Sequence, residues 1–131
     1  MREILFRGKL HSGEWAYGNL VVSKNGIAII TPDDTPLGKY GQVAPETVGQ
    51  YTGLEDKNGK RIFEGDIVRH YNCGKKPDKY DTGVIFFEAT SCAFMRTTEM
   101  EAVLLRISKY CEYEVVGNIY DNPEPPKEVT P

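Results

Sequence analysis

The chain is short of the features that mark membrane, secreted or disulfide-built proteins. It has no apolar run long enough to cross a bilayer, and its opening, Met1-Arg2-Glu3-Ile4-Leu5-Phe6, holds too short an apolar stretch for a secretory signal. The expectation is a soluble, cytoplasmic protein. Three cysteines, Cys73, Cys92 and Cys111, are an odd count at wide spacing, which excludes a disulfide framework and suits a reducing compartment with free thiols. His70-x-x-Cys73 is half of a zinc site, but a tetrahedral centre needs a second pair, and neither Cys92 nor Cys111 has a close ligand partner. No metal or other cofactor is expected. Lys75, Lys76 and Lys79 could lower the pKa of the Cys73 thiol, yet no general base accompanies it. With only two histidines, no Gly-x-Ser-x-Gly elbow and no glycine-rich phosphate loop, the chain does not read as an enzyme. There is no basic excess either. A net charge of −3 argues against a general nucleic-acid coat and leaves room only for a local basic patch.

What the chain has is turn chemistry between β-formers. Its 131 residues suit a single domain, and its 13 glycines and 8 prolines fall largely between short runs of aliphatic and aromatic residues. Leu10-His11-Ser12-Gly13 separates two β-rich segments, 3–9 and 14–22, as a hairpin. Ser23-Lys24-Asn25-Gly26 joins Val21-Val22 to Ile27-Ala28-Ile29-Ile30 as a second hairpin, through an Asn-Gly pair able to take positive φ at both central positions. Thr31 to Pro36 is a loop, and Ala44-Pro45-Glu46-Thr47 suits a single helical turn. Gln50-Tyr51-Thr52 and Ile62-Phe63 flank a third hairpin at Asp56-Lys57-Asn58-Gly59, and Glu64-Gly65-Asp66 makes a corner before the strand Ile67 to Tyr71. A polar basic loop, 72–79, leads to a strand over 82–87. Over 98–109 two readings stand. Thr98 with Glu101 is a capping box, and Met100, Val103, Leu104 and Ile107 are spaced as a helical face, whereas Val103 to Ile107 also reads as a buried strand. A last strand spans Tyr113 to Tyr120 with a bulge at Gly117, and the proline-rich end is a tail.

The run Val48-Gly49-Gln50-Tyr51-Thr52-Gly53-Leu54 through Asp56-Lys57-Asn58-Gly59-Lys60 to Ile62-Phe63-Glu64-Gly65-Asp66-Ile67-Val68 resembles the hallmark of the YopX-like family of phage and prophage proteins. The opening Phe6-Arg7-Gly8-Lys9, with Trp15, Tyr17 and Gly18, and the closing run Glu114 to Glu124 are also similar to that family, so the resemblance covers nearly the whole chain. It implies a mainly β fold, phage origin and no established biochemical activity, and it favours strands over 98–109.

The expected fold is therefore mainly β: an antiparallel N-terminal meander (about 1–44) packed on an SH3-like small β-barrel (about 45–122), with at most short helical turns. Residues 1–126 would form one compact domain and 127–131 a disordered tail. The favoured function is a phage-encoded, non-enzymatic accessory protein in the host cytoplasm. It would act by protein–protein contacts and self-association through exposed strand edges and tyrosines. Candidate interaction residues are Trp15, Tyr51, Glu64, Asp66, Tyr71, Lys75, Lys76, Lys79 and Tyr80. Two alternatives accompany it. Tyr71 and Tyr80 bracket three lysines, a combination that single-strand nucleic-acid binders use. Glu64 and Asp66 are paired carboxylates of the kind a metal-dependent hydrolase needs, although such a pair at a strand corner more often holds backbone amides.

Overall fold

The computed structural model describes residues 3–31, 41–72, 80–98, 102–104 and 111–122. The chain divides into two compact units, Met1–Gly53 and Leu54–Pro131. Both are antiparallel β structures, and the helical content among the described residues is one 3-10 turn at Pro45–Thr47.

In the first unit, β1 (Phe6–Lys9), β2 (Trp15–Val22), β3 (Ala28–Thr31), β4 (Gly41–Val43) and β5 (Gly49–Glu55) are ordered β4-β3-β2-β1-β5. Alternation along β2 and β3 turns Ala16, Ala28 and Ile30 inward, where they meet Val43, with Phe6, Leu10, Leu20 and Val48 packed around them. The sheet curls enough for Val43 to bridge back to Leu10, and the Ala44 N–H donates to the Lys9 carbonyl at 2.9 Å. The 3-10 turn is tied to the same edge, because the Lys9 N–H donates to Thr47 Oγ1 at 2.9 Å.

In the second unit, β6 (Arg61–Phe63) pairs with the distal end of β5. A five-stranded sheet follows, built from β7 (Asp66–Asn72), β8 (Tyr80–Glu88), β9 (Ala93–Thr97), β10 (Ala102–Leu104) and β11 (Cys111–Asn118) in the order β10-β9-β8-β7-β11. Its core is Ile62, Val68, Ile85 and Tyr113, with Leu54 and Val115 against it. Full burial of an Ile or Val side chain contributes about 1.5–3 kcal/mol, so these few residues supply most of the local driving force. The β11–β7 register slips between Val115 and Gly117, which is the bulge expected at Gly117.

Three hairpin turns share one construction. In Leu10–Gly13, Ser23–Gly26 and Asp56–Gly59 the glycine N–H donates to the carbonyl three residues back, and the first residue's N–H donates to the carbonyl four residues on. Only the glycine has positive φ, at 80° to 85°. The Asn-Gly pairs therefore do not form the two-residue turn with positive φ at both centres; each is an ordinary turn followed by a glycine bulge, whose twist also suits a hairpin. The β8–β9 tip repeats the pattern, with the Cys92 N–H donating to the Ala89 carbonyl at 3.3 Å and Cys92 at φ 50° where the others have glycine.

β4 and β9 were not expected from the sequence, and residues 102–104 are strand. No ladder joins β10 to β11 among the described residues, so the expected SH3-like closure is not seen in the pairing. The reason lies at the outer edge of β11. The Lys57 N–H donates to the Tyr113 carbonyl at 2.9 Å, and Asp56 Oδ2 accepts the Val115 N–H at 3.0 Å. The tip of the β5–β6 hairpin occupies the edge that a closing strand would need, and it protects that edge from pairing with another chain. The tail, the loop at 73–79 and most of 98–109 lie outside the described residues.

Candidate functional site

Asp56 and Asp66 of the hallmark run hold backbone. Asp56 is buried, and its Oδ1 accepts the N–H groups of Asn58 at 2.8 Å and Lys60 at 2.9 Å while Oδ2 takes Val115. Asp66 is 1% exposed, and its Oδ2 accepts the Phe63 N–H at 2.7 Å across the corner. The Gly65 N–H donates to the Ile85 carbonyl, and the Gly65 carbonyl accepts the Ile119 N–H. Glu64 sits half-buried in the same turn. Among the described residues no group of three or more His, Cys, Asp or Glu side chains is placed to hold a metal ion.

Tyr71 and Tyr80 are cross-strand partners on one face of the second sheet, with ring centroids 5.6 Å apart. Each ring carries a cation: the Lys57 ammonium lies 4.3 Å from the Tyr71 centroid, and the Arg69 guanidinium 4.7 Å from that of Tyr80. Glu114 joins them, 3.5 Å from Lys57 and 3.6 Å from Arg69. The ring faces and charges are thus engaged with one another. Lys75, Lys76 and Lys79 lie outside the described residues. Tyr51 is buried in β5, where its N–H donates to the Leu5 carbonyl at 2.8 Å. Trp15 lies on the first sheet beneath two cations, Arg7 at 4.7 Å and Lys9 at 5.8 Å from its ring centroid. The structure brings Tyr71 together with Tyr80 and sets Glu64 beside Asp66 in one corner, and it places Trp15 and Tyr51 elsewhere.

Two groupings escaped the sequence reading. On the outer face of the first sheet Tyr17, Val21, Ile27 and Ile29 are 45, 53, 40 and 38% exposed. Val21 is the cross-strand partner of Ile29, and Asn19 that of Thr31. Gln42 opposite Ile29 extends the same face, which carries no charged residue across β2, β3 and β4 over these positions. The signal that could have revealed it was the lack of alternation in Leu20-Val21-Val22 and Ile27-Ala28-Ile29-Ile30, which are apolar on both sides of the pleat.

The second grouping lies on the inner face of the five-stranded sheet. Arg96 on β9 is buried; its NH1 lies 3.3 and 3.4 Å from the Asp81 carboxylate, and its NH2 lies 3.1 Å from His70 Nδ1. A guanidinium only donates, so this contact is a hydrogen bond where His70 Nδ1 carries no proton and accepts. The same Nδ1 lies 3.4 Å from Asp81 Oδ1, to which it donates where it carries a proton. The Asp81 carboxyl is held below its ordinary value of 3.8, first by the hydrogen bond with His70 and further by the Arg96 charge, with burial opposing both. The His70 ring packs on Tyr113 at 4.9 Å between centroids.

No helix among the described residues is long and apolar enough to cross a membrane. No curated protein matches the chain. Among solved structures it is similar to the crystal structure of protein yopX from Bacillus subtilis, with a TM-score of 0.60 and 16% identity over 94% of this chain and 98% of that one. It is also similar to protein EF1440 from Enterococcus faecalis, with a TM-score of 0.49 and 21% identity over 95% and 98% of the two chains. The first likeness is one of fold. The family model described as YopX protein matches residues 9–125, so the chain belongs to the YopX family.

Proposed function

We propose that this protein is a phage-encoded, non-enzymatic accessory protein that works through protein–protein contacts, its first partner being a second copy of itself. The observation that carries the reading is the apolar face of β2 and β3, where Val21, Ile27 and Ile29 stand exposed together, with Tyr17 further along β2 beyond Asn19. A contiguous exposed apolar face marks an interaction surface more often than a free one. Over Val21, Ile27 and Ile29 this face carries no charge, and Arg7, the cross-strand partner of Tyr17, is buried, so the face meets its own copy without repulsion, and a two-fold pairing uses one patch twice. The net charge of −3 lies elsewhere on the chain and keeps the assembly soluble.

The other two readings gain no support from the geometry. Stacking of nucleobases needs free aromatic faces, and Tyr71 and Tyr80 each already carry a cation. Hydrolysis at the Glu64–Asp66 corner needs carboxylates free to move protons, and Asp66 is committed to the Phe63 amide.

The test is sedimentation equilibrium of the intact protein beside Val21→Lys with Ile29→Lys. Each replaced side chain removes about 1.5–3 kcal/mol of apolar burial and occurs twice in a symmetric pair, so the dimer Kd should rise at least about 100-fold. Both substitutions are at exposed positions, and an unchanged unfolding midpoint shows that the monomer survives. A wild-type protein that stays monomeric at high concentration, or a variant that dimerises equally well, would remove the proposal.

A further inference from the structure

The inner face of the second sheet borders a cavity of about 530 Å³ lined by His70, Met95, Arg96, Val103, Leu104 and Tyr113, with Ala102 at its rim. Its chemistry is lopsided. Among the described residues its polar wall is the Arg96 guanidinium, which only donates, with the His70 ring and the Tyr113 hydroxyl, which can donate. The Arg96 Nε–H is buried and has no hydrogen-bond partner among the described residues, although the Arg96 side chain is only 9% exposed. Buried donors left unpaired are rare, and the Arg96 Nε–H beside this cavity marks a place where an acceptor binds.

The acceptor is anionic. Asp81 is the counter-charge to Arg96, but its side chain is 41% exposed and its contacts, 3.3 and 3.4 Å, are long for a charge-assisted pair, which leaves positive potential at the buried guanidinium. The remaining wall is Met95, Ala102, Val103 and Leu104, which offers nothing to a polar body and accepts an aliphatic one. We propose that this cavity binds a small aliphatic monocarboxylate, with its head at Arg96, His70 and Tyr113 and its chain against Met95, Val103 and Leu104.

The proposal is tested on the full chain by NMR titration with octanoate, octan-1-ol and octylamine as probes, following the His70 ring protons and the Met95 methyl. Octanoate is expected to saturate the site, with the alcohol at least about tenfold weaker and the amine not bound, as loss of one charged hydrogen-bonding head implies. Arg96→Met should abolish the preference for octanoate over octanol. Should that variant fail to fold, Leu104→Glu provides the second check. Leu104 is 58% exposed, so its replacement leaves the core intact and places a like charge at the cavity, and octanoate affinity is expected to fall about tenfold. Equal affinity for octanoate and octanol, no saturable shift up to the solubility of octanoate, or unchanged octanoate binding in Leu104→Glu overturns it.

Discussion

Replacing Asp56 with alanine tests whether one side chain in a hairpin turn secures a strand edge 59 residues away. Three backbone N–H groups lose their acceptor together: Asn58, Lys60 and Val115. The first two sit in an exposed turn, where water replaces the carboxylate, and each accounts for about 0.5–1 kcal/mol. Val115 lies on β11 beside the core, and a donor left unpaired there costs about 1–3 kcal/mol. The total is about 2–5 kcal/mol, a large part of the 5–15 kcal/mol typical of a whole domain. With a urea slope of about 2 kcal/mol/M, the midpoint should fall by about 1–2.5 M without a change in slope. Asp56→Asn is the sharper variant. Its amide oxygen can still serve Asn58 and Lys60, but its NH2 then faces the Val115 N–H, so it should recover only the smaller, turn-side part of the loss. Urea unfolding gives the sum, and hydrogen exchange at the Val115 amide gives the site. A midpoint shift below about 0.3 M, or a Val115 amide as protected in Asp56→Ala as in the wild type, would show that the edge is held by something other than this carboxylate.

Gly83→Ala should destabilise by about 2–3 kcal/mol in the same assay, because a Cβ there would stand 2.1 Å from the Thr97 carbonyl oxygen and the backbone would have to move; a loss under about 0.5 kcal/mol would mean that β8 and β9 separate easily. Cys92→Gly should stabilise by about 0.5–1 kcal/mol, the left-handed penalty for a side chain at φ 50° outweighing the chain entropy of glycine, while Cys92→Ala should change little. Since Cys92 is exposed and free, thiol labelling checks the same variants. Asp81→Asn addresses pH. A carboxyl whose folded value lies below its ordinary 3.8 stabilises the protein above that value and loses the contribution as the pH falls through the lower, folded one. The midpoint gap between Asp81→Asn and wild type should therefore be present at pH 6 and shrink well below pH 3.8, and a gap of constant size would refute the coupling with His70 and Arg96.

The sequence by itself determined the parts of this protein that local chemistry decides. The three glycine turns, the Glu64-Gly65-Asp66 corner, the bulge at Gly117 and the β character of nearly every strand follow from residues within a few positions of one another, because turn dihedrals and pleat alternation are short-range properties. The same local rules misjudged the Asn-Gly turns, since Asn25 and Asn58 accept either geometry and the twist of the flanking strands chose between them. Only the tertiary structure decided the rest. Asp56 reads as an ordinary turn aspartate until β11 is laid beside it, and nothing near Arg96 in the chain announces His70, 26 residues before it, or Asp81, 15 residues before it. Which side of the β2–β3 pleat stands in water was likewise undecided, because both sides are apolar and only packing against Val43, Phe6 and Leu10 selects the inner one. Edge protection, ion-pair clusters and exposed faces depend on which strands become neighbours, and that is settled by long-range pairing, which no window of sequence contains.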